Sequence, residues 1–176
     1  GYAAVKAATK LSTPYDYSVR ELTFNDSTLN IVVDTREQNP LSIKGHNLIA
    51  RGLKFGDYAI DGREDKLVIE RKSLEDFVMC CGQERARFVE CIERMAGYER
   101  PWLIIEASVD DAYAGAYRSA MNPLTVVNTA LSIAMTHRIQ VFWAGDARNA
   151  AKAMEWLAFR LLDPDKTPFK PKSTAI

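Results

Sequence analysis

An α/β domain built on a central mixed β-sheet is what this chain predicts, and three observations carry that reading. Short apolar or β-branched runs at residues 31–33, 58–60, 67–69, 101–106 and 139–143 have the length of strands. Residues 58–60 and 67–69 flank a polar, Gly-containing turn at 61–66, which is a β-hairpin signal and makes part of the sheet antiparallel. Beyond residue 73, longer stretches carry apolar residues at helical spacing, giving the order strand, hairpin, helix, helix, strand, helix, strand, helix.

The elements follow in turn. Ile31-Val32-Val33 suits a buried strand that delivers Asp34 and Glu37 to its C-terminal end, and Asn39-Pro40 breaks it. Residues 42–55 have room for one short element between Gly45 and Gly52. After the hairpin, Ser73 is placed to cap a helix with Asp76 at its third position, and Gly82 ends it. A second helix is expected over 83–96, with Phe88, Cys91, Ile92 and Met95 on one face and the pair Glu90/Arg94 on the exposed side. Residues 101–106 form the next strand. Asn122-Pro123 opens a helix to about His137, with Leu124, Val127, Leu131 and Met135 near one face. A last strand at 139–143 precedes a helix capped by Asp146. Its apolar stripe is Met154, Leu157, Ala158 and Leu161, with Trp156 and Phe159 off the stripe, so both sides are expected to be covered.

Composition bounds the function. The 176 residues have the size of one domain, and 47% hydrophobic with 26% charged residues is an ordinary globular balance. Lys plus Arg and Asp plus Glu both number 23, so any phosphate-binding surface must be a local patch offset elsewhere. Cys80, Cys81 and Cys91 have neither zinc-finger spacing nor an even count for disulfides, and His46 and His137 lack a partner at zinc spacing. The first thirty residues contain no secretory apolar run, and no run is long enough to span a membrane, which points to an intracellular protein. Residues 1–29 read as an extension, 30–162 as the domain, and 163–176, with Pro164, Pro168 and Pro171, as a tail.

The chemistry concentrates in the hairpin. If Ile60 faces Leu67, the antiparallel register sets Asp57 opposite Glu70, their Cβ atoms about 5 Å apart on one face of the sheet. Alternation then puts Lys72 on the face of Glu70 and Arg71 on the other. Two opposed carboxylates repel unless a cation lies between them, and Asp and Glu oxygens are hard ligands suited to Mg²⁺. A lysine beside them can orient a water or stabilise charge on a phosphate under attack. Asp, then Glu-x-Lys on the next strand, is a minimal apparatus for hydrolysing a phosphodiester.

Gly56-Asp57, Glu70-Arg71-Lys72 and, after three intervening residues, Asp76 resemble the G-D…E-R-K-x-x-x-D signature of the XPF family of structure-specific DNA endonucleases. Val33-Asp34-Thr35-Arg36-Glu37 is similar to the V-D-x-R-E strand of that family, and the likeness extends over about residues 31–162. Arg87-Phe88 also fits the family's second helix, with Cys91 where its pattern has Gln. The resemblance implies a restriction-endonuclease-like fold and a metal-dependent DNA endonuclease acting on branched or flap-like DNA in repair or recombination. It implies Mg²⁺ or Mn²⁺ on Asp57 and Glu70, with Asp34 and Glu37 as further ligands or supports, Lys72 orienting the water, and Asp76 in the catalytic set. Arg36, Arg71, Arg85 and Arg87 would contact DNA, and the last helices would pair two copies. Family members usually follow the nuclease with tandem helix-hairpin-helix modules, and no such segment lies within these 176 residues. The competing readings are a catalytically inactive scaffold of the same family and a restriction- or resolvase-type nuclease.

Overall fold

The structure, a computed structural model, describes residues 28–163, so the expected extension and tail fall almost wholly outside the described residues. Six strands, β1 (Asn30–Val33), β2 (Asn47–Ala50), β3 (Tyr58–Ile60), β4 (Leu67–Lys72), β5 (Arg100–Ile105) and β6 (Gln140–Trp143), form one sheet in the order β2-β1-β3-β4-β5-β6. The sheet is mixed, as expected. β3 runs antiparallel to β1 and β4, while β1/β2, β4/β5 and β5/β6 are parallel.

Alternation along the strands divides the core in two. Val68, Leu103 and Ile105 pack beneath α1 (Leu74–Cys81), α2 (Arg85–Met95), α3 (Val109–Ala114) and α4 (Pro123–His137). Ile31, Tyr58, Leu67, Ile69 and Ile104 face the opposite way, against α5 (Ala147–Leu162). Ala150, Ala151 and Ala158 let that helix lie close to the strands, with Met154 filling the remaining depth.

Three details differ from the sequence reading. α3 was not anticipated, although Ser108 and Asp111 form a full capping box at its start, with Ser108 Oγ accepting from Asp111 N at 3.1 Å. In α4 the buried face is Val126, Val127, Ala130 and Ile133, while Leu124, Leu131 and Met135 are exposed. Apolar residues surround most of that helix, so periodicity alone could not choose the face, and the small Ala130 fits the sheet where a Leu would not. In α5, Met154 and Ala158 are buried as expected, whereas Leu157 and Leu161 pack only at the border of the core.

Candidate active site

The local sequence forces the hairpin to bring its acids together. Gly56 sits at φ +76°, and a Cβ there would come 2.5 Å from Val68 Cγ2 and 3.0 Å from the Ile69 carbonyl oxygen. Only glycine allows β4 to pass that close. Asp57 N–H then donates to Ile69 O at 2.8 Å, and Tyr58 pairs with Ile69, which sets Asp57 opposite Glu70. The expected register is the observed one.

Glu70 is buried, 8% exposed, and Lys72 Nζ donates to its Oε1. Asp57 Oδ2 accepts the Arg71 backbone N–H at 2.8 Å. Burial, then the adjacent Glu70, pushes the Asp57 carboxyl up to about 7. Burial works against the Lys72 ammonium, but Glu70 and Asp57 outweigh it and hold its pKa above the ordinary lysine value. Lys72 is therefore a permanent cation in this pocket. Among the described residues, no donor reaches the second oxygen of either carboxylate.

Asp34 stands apart from this pair. Arg36 grips it in a fork, Nε to Oδ1 at 2.6 Å and Nη2 to Oδ2 at 3.1 Å. Backbone N–H groups of Arg36 and Leu53 add bonds at 2.9 and 2.6 Å. These contacts, the Arg36 side chain foremost, draw its pKa down to about 2. With both oxygens held by donors, Asp34 acts as a staple. Its backbone N–H donates to Asp57 O at 2.8 Å and its side chain holds the 51–56 approach to Asp57.

The remaining expected residues spread around this centre. Arg71 points to the α5 side, 3.1 Å from Glu106 Oε1 and 3.6 Å from Glu37 Oε1, so Glu37 braces Arg71 while also accepting the Asn39 N–H at 2.8 Å. Arg36 keeps 70% of its side chain exposed while gripping Asp34, leaving it open to solvent beside the site. Asp76 is exposed and exchanges bonds with Ser73, its N–H donating to Ser73 Oγ at 3.1 Å and its Oδ2 accepting from that hydroxyl at 2.7 Å. Its visible work is capping α1. Arg85 and Arg87 are exposed at the start of α2, and Arg85 reaches back to the Cys81 carbonyl at 3.5 Å.

The sequence reading gave no role to Glu106, which is the Arg71 partner, and placed Arg94 only in a pair with Glu90, whereas its guanidinium lies over Phe55 at 5.6 Å. The expected Glu90–Arg94 contact spans 3.9 Å and is weak. Cys91 is raised to about 11 by burial, with Glu70, Lys72 and Asp57 among the charges it feels, so it borders the site as a neutral thiol. A Phe one residue before a Gly-Asp pair, with an Arg one helix away, was the signal that could have pointed to Arg94.

Two opposed carboxylates and a lysine thus gather at one end of the central strands β3 and β4, and comparison with solved structures finds the same fold elsewhere. XPF from Aeropyrum pernix superposes with a TM-score of 0.61 at 24% identity, covering 77% of this chain and 66% of that one. The same protein in complex with DNA gives 0.62 at 24% identity, covering 80% and 68%. Residues 33–158 match the ERCC4 domain model, and the chain belongs to that family. A Methanocaldococcus jannaschii protein named for an ATP-dependent RNA helicase, MJ1505, is 26% identical over 150 residues. The match takes in 84% of this chain but only 17% of that protein. Among the described residues, no helix is long and apolar enough to cross a membrane.

Proposed function

We propose that this domain is a divalent-metal-dependent DNA endonuclease. The observation that carries the reading is the buried opposition of Asp57 and Glu70 beside the Lys72 ammonium. The donor set fits Mg²⁺ or Mn²⁺, since each carboxylate retains an oxygen free of described donors and such ions bind through one or two protein carboxylates plus water and phosphate. Asp57 and Glu70 would hold the ion, whose chemistry is to polarise a phosphoryl oxygen and acidify water.

The chain's own residues do the rest. Lys72, fixed on Glu70 and permanently charged, is a donor that offsets charge gathering on the phosphate as water oxygen bonds to phosphorus and the strand's P–O bond breaks. The raised pKa removes it from the role of base. Asp34 keeps Asp57 in place through the 51–56 segment, and exposed Arg36 offers a phosphate contact at the rim. Arg85 and Arg87 extend that basic surface along α2. The Aeropyrum pernix complex supports DNA as the substrate, and branched or flap DNA follows from the XPF likeness.

The likeness also supports a homodimer through the C-terminal helices, where α5 lies beside the β6 edge. That edge strand borders an apolar groove of about 510 Å³ lined by Trp102, Phe142, Trp156 and Leu157, and α4 exposes Leu131 and Met135 on the other face. Sedimentation at micromolar concentration should give twice the chain mass; a monomer would dismiss the pairing.

End-labelled linear duplex, 3′-flap, splayed fork and single strand, incubated with Mg²⁺, Mn²⁺ or EDTA, test the activity. Metal-dependent cutting is expected for the native chain, and Glu70→Gln should lower it at least about 100-fold. Full activity in that variant would dismiss the site assignment.

A further inference from the structure

On the face of β4 opposite the carboxylates lies a cleft of about 640 Å³, open between the loop 39–44 and the first turns of α5. Arg71 forms its inner wall, and Lys44, Arg148 and Lys152 stand around its mouth with Glu106 and Glu155. Four cations thus face two carboxylates. The carboxylates are already committed. Glu106 meets Arg71, and Glu155 Oε1 lies 3.0 Å from His46 Nε2, the nitrogen that carries the proton because Nδ1 accepts the Leu29 N–H at 3.2 Å.

Lys44, Arg148 and Lys152 have no carboxylate partner among the described residues. Arg148 and Lys152 are four apart on one helix face, a like-charge spacing that destabilises a helix. The fold nevertheless anchors the 39–44 wall to the sheet. Leu41 and Ile43 are buried, and Leu41 N–H donates to the Tyr58 hydroxyl at 2.8 Å. A fixed cleft with uncompensated cations is a site for an extended anion.

Its position says which anion. Arg71 lines the cleft with its side chain while its own backbone N–H donates to Asp57 Oδ2. One residue therefore joins the cleft to the candidate active site across the end of β4. We propose that the cleft receives the phosphodiester backbone of a nucleic-acid strand that passes over this end of β4, with Arg148, Lys152 and Lys44 as its phosphate contacts. The inference rests on the nuclease reading and adds a strand path and three binding residues to it.

The test measures binding without chemistry. The full chain carrying Glu70→Gln is titrated in EDTA with a fluorescent single-stranded DNA at several salt concentrations, with and without the double change Arg148→Gln and Lys152→Gln. The double change should weaken binding at least about tenfold and lower the slope of log K against log salt by about 1.4, the share of two contacts to a single strand. Arg63→Gln, on the distant hairpin turn, should leave both unchanged. Because the double change removes a like-charge pair, Tm should hold or rise, which separates lost binding from lost folding. Affinity and slope equal to the parent would overturn the proposal. Inorganic phosphate that binds the parent more tightly than the oligonucleotide, and is lost in the double variant, would make this a free-phosphate site and overturn the strand reading. Because cutting plays no part, an inactive native chain would count against the nuclease while leaving this outcome to stand separately.

Discussion

Asp34 and Asp57 are joined by a backbone hydrogen bond of 2.8 Å, yet their environments drive them in opposite directions. Asp34 is 3% exposed and holds a pKa of about 2, because a forked arginine and two backbone N–H groups surround its oxygens. Asp57 is pushed up to about 7, because burial and Glu70 meet a single backbone donor. Burial alone therefore does not rank two aspartates; the number of donors aimed at each does. A satisfied carboxylate stabilises the fold, and an under-satisfied one opposite another acid opposes it when ionised.

The largest test of that contrast is Asp34→Asn. Its amide would face donors with a donor, and the charge that anchors Arg36 would be gone. A loss of about 2–3 kcal/mol at pH 7 is expected by chemical denaturation. Because the folded pKa is depressed, the native advantage over the variant should be intact above pH 4 and fade as pH falls toward 2. A pH-independent gap would contradict the assigned cause.

Gly56→Ala attacks the geometry that creates the second environment. The added methyl meets Val68 and the Ile69 carbonyl at positive φ, so about 2 kcal/mol of stability should go, and with it the Asp57–Glu70 apposition. A neutral Tm in this variant would show that the hairpin can relax.

Asp57→Asn should have the opposite sign. The folded pKa is raised, so in EDTA the native carboxylate opposes folding increasingly as pH climbs from about 4 through 7. At pH 8 the variant should gain about 1–2 kcal/mol, and at pH 4 nothing. Millimolar Mg²⁺ or Mn²⁺ should raise Tm of the native chain and leave the variant unmoved. A clear drop in Tm on substitution would contradict the cross-strand repulsion.

The smallest effect belongs to Asp76→Ala. Loss of the bond from the Ser73 hydroxyl to its carboxylate should lower stability by about 0.5–1 kcal/mol through the start of α1. If cleavage falls by orders of magnitude while stability moves that little, Asp76 serves the chemistry as well as the cap.

The two sides of the contrast were not equally visible in the linear chain. The hairpin register and the Ser73 cap were set by local rules: alternation, turn chemistry and capping act over a few residues. So was the placing of Asp57, Glu70 and Lys72 on one face, since a strand period of two leaves no freedom once the loop is fixed. What Asp34 does was decided by tertiary contacts. Its partner Leu53 is nineteen positions away and its saturation depends on how the 51–56 segment folds back.

The same holds for the faces of α4, for Arg94 over Phe55, and for the basic cleft behind Arg71, whose walls come from β4, Glu106 just after β5, a loop and α5. Sequence determined the acidic pair because strand neighbours are fixed by covalent geometry and a short turn. Only the tertiary structure decided which acid is satisfied and which is left with a single donor, because donors arriving from distant segments have no signature in local spacing.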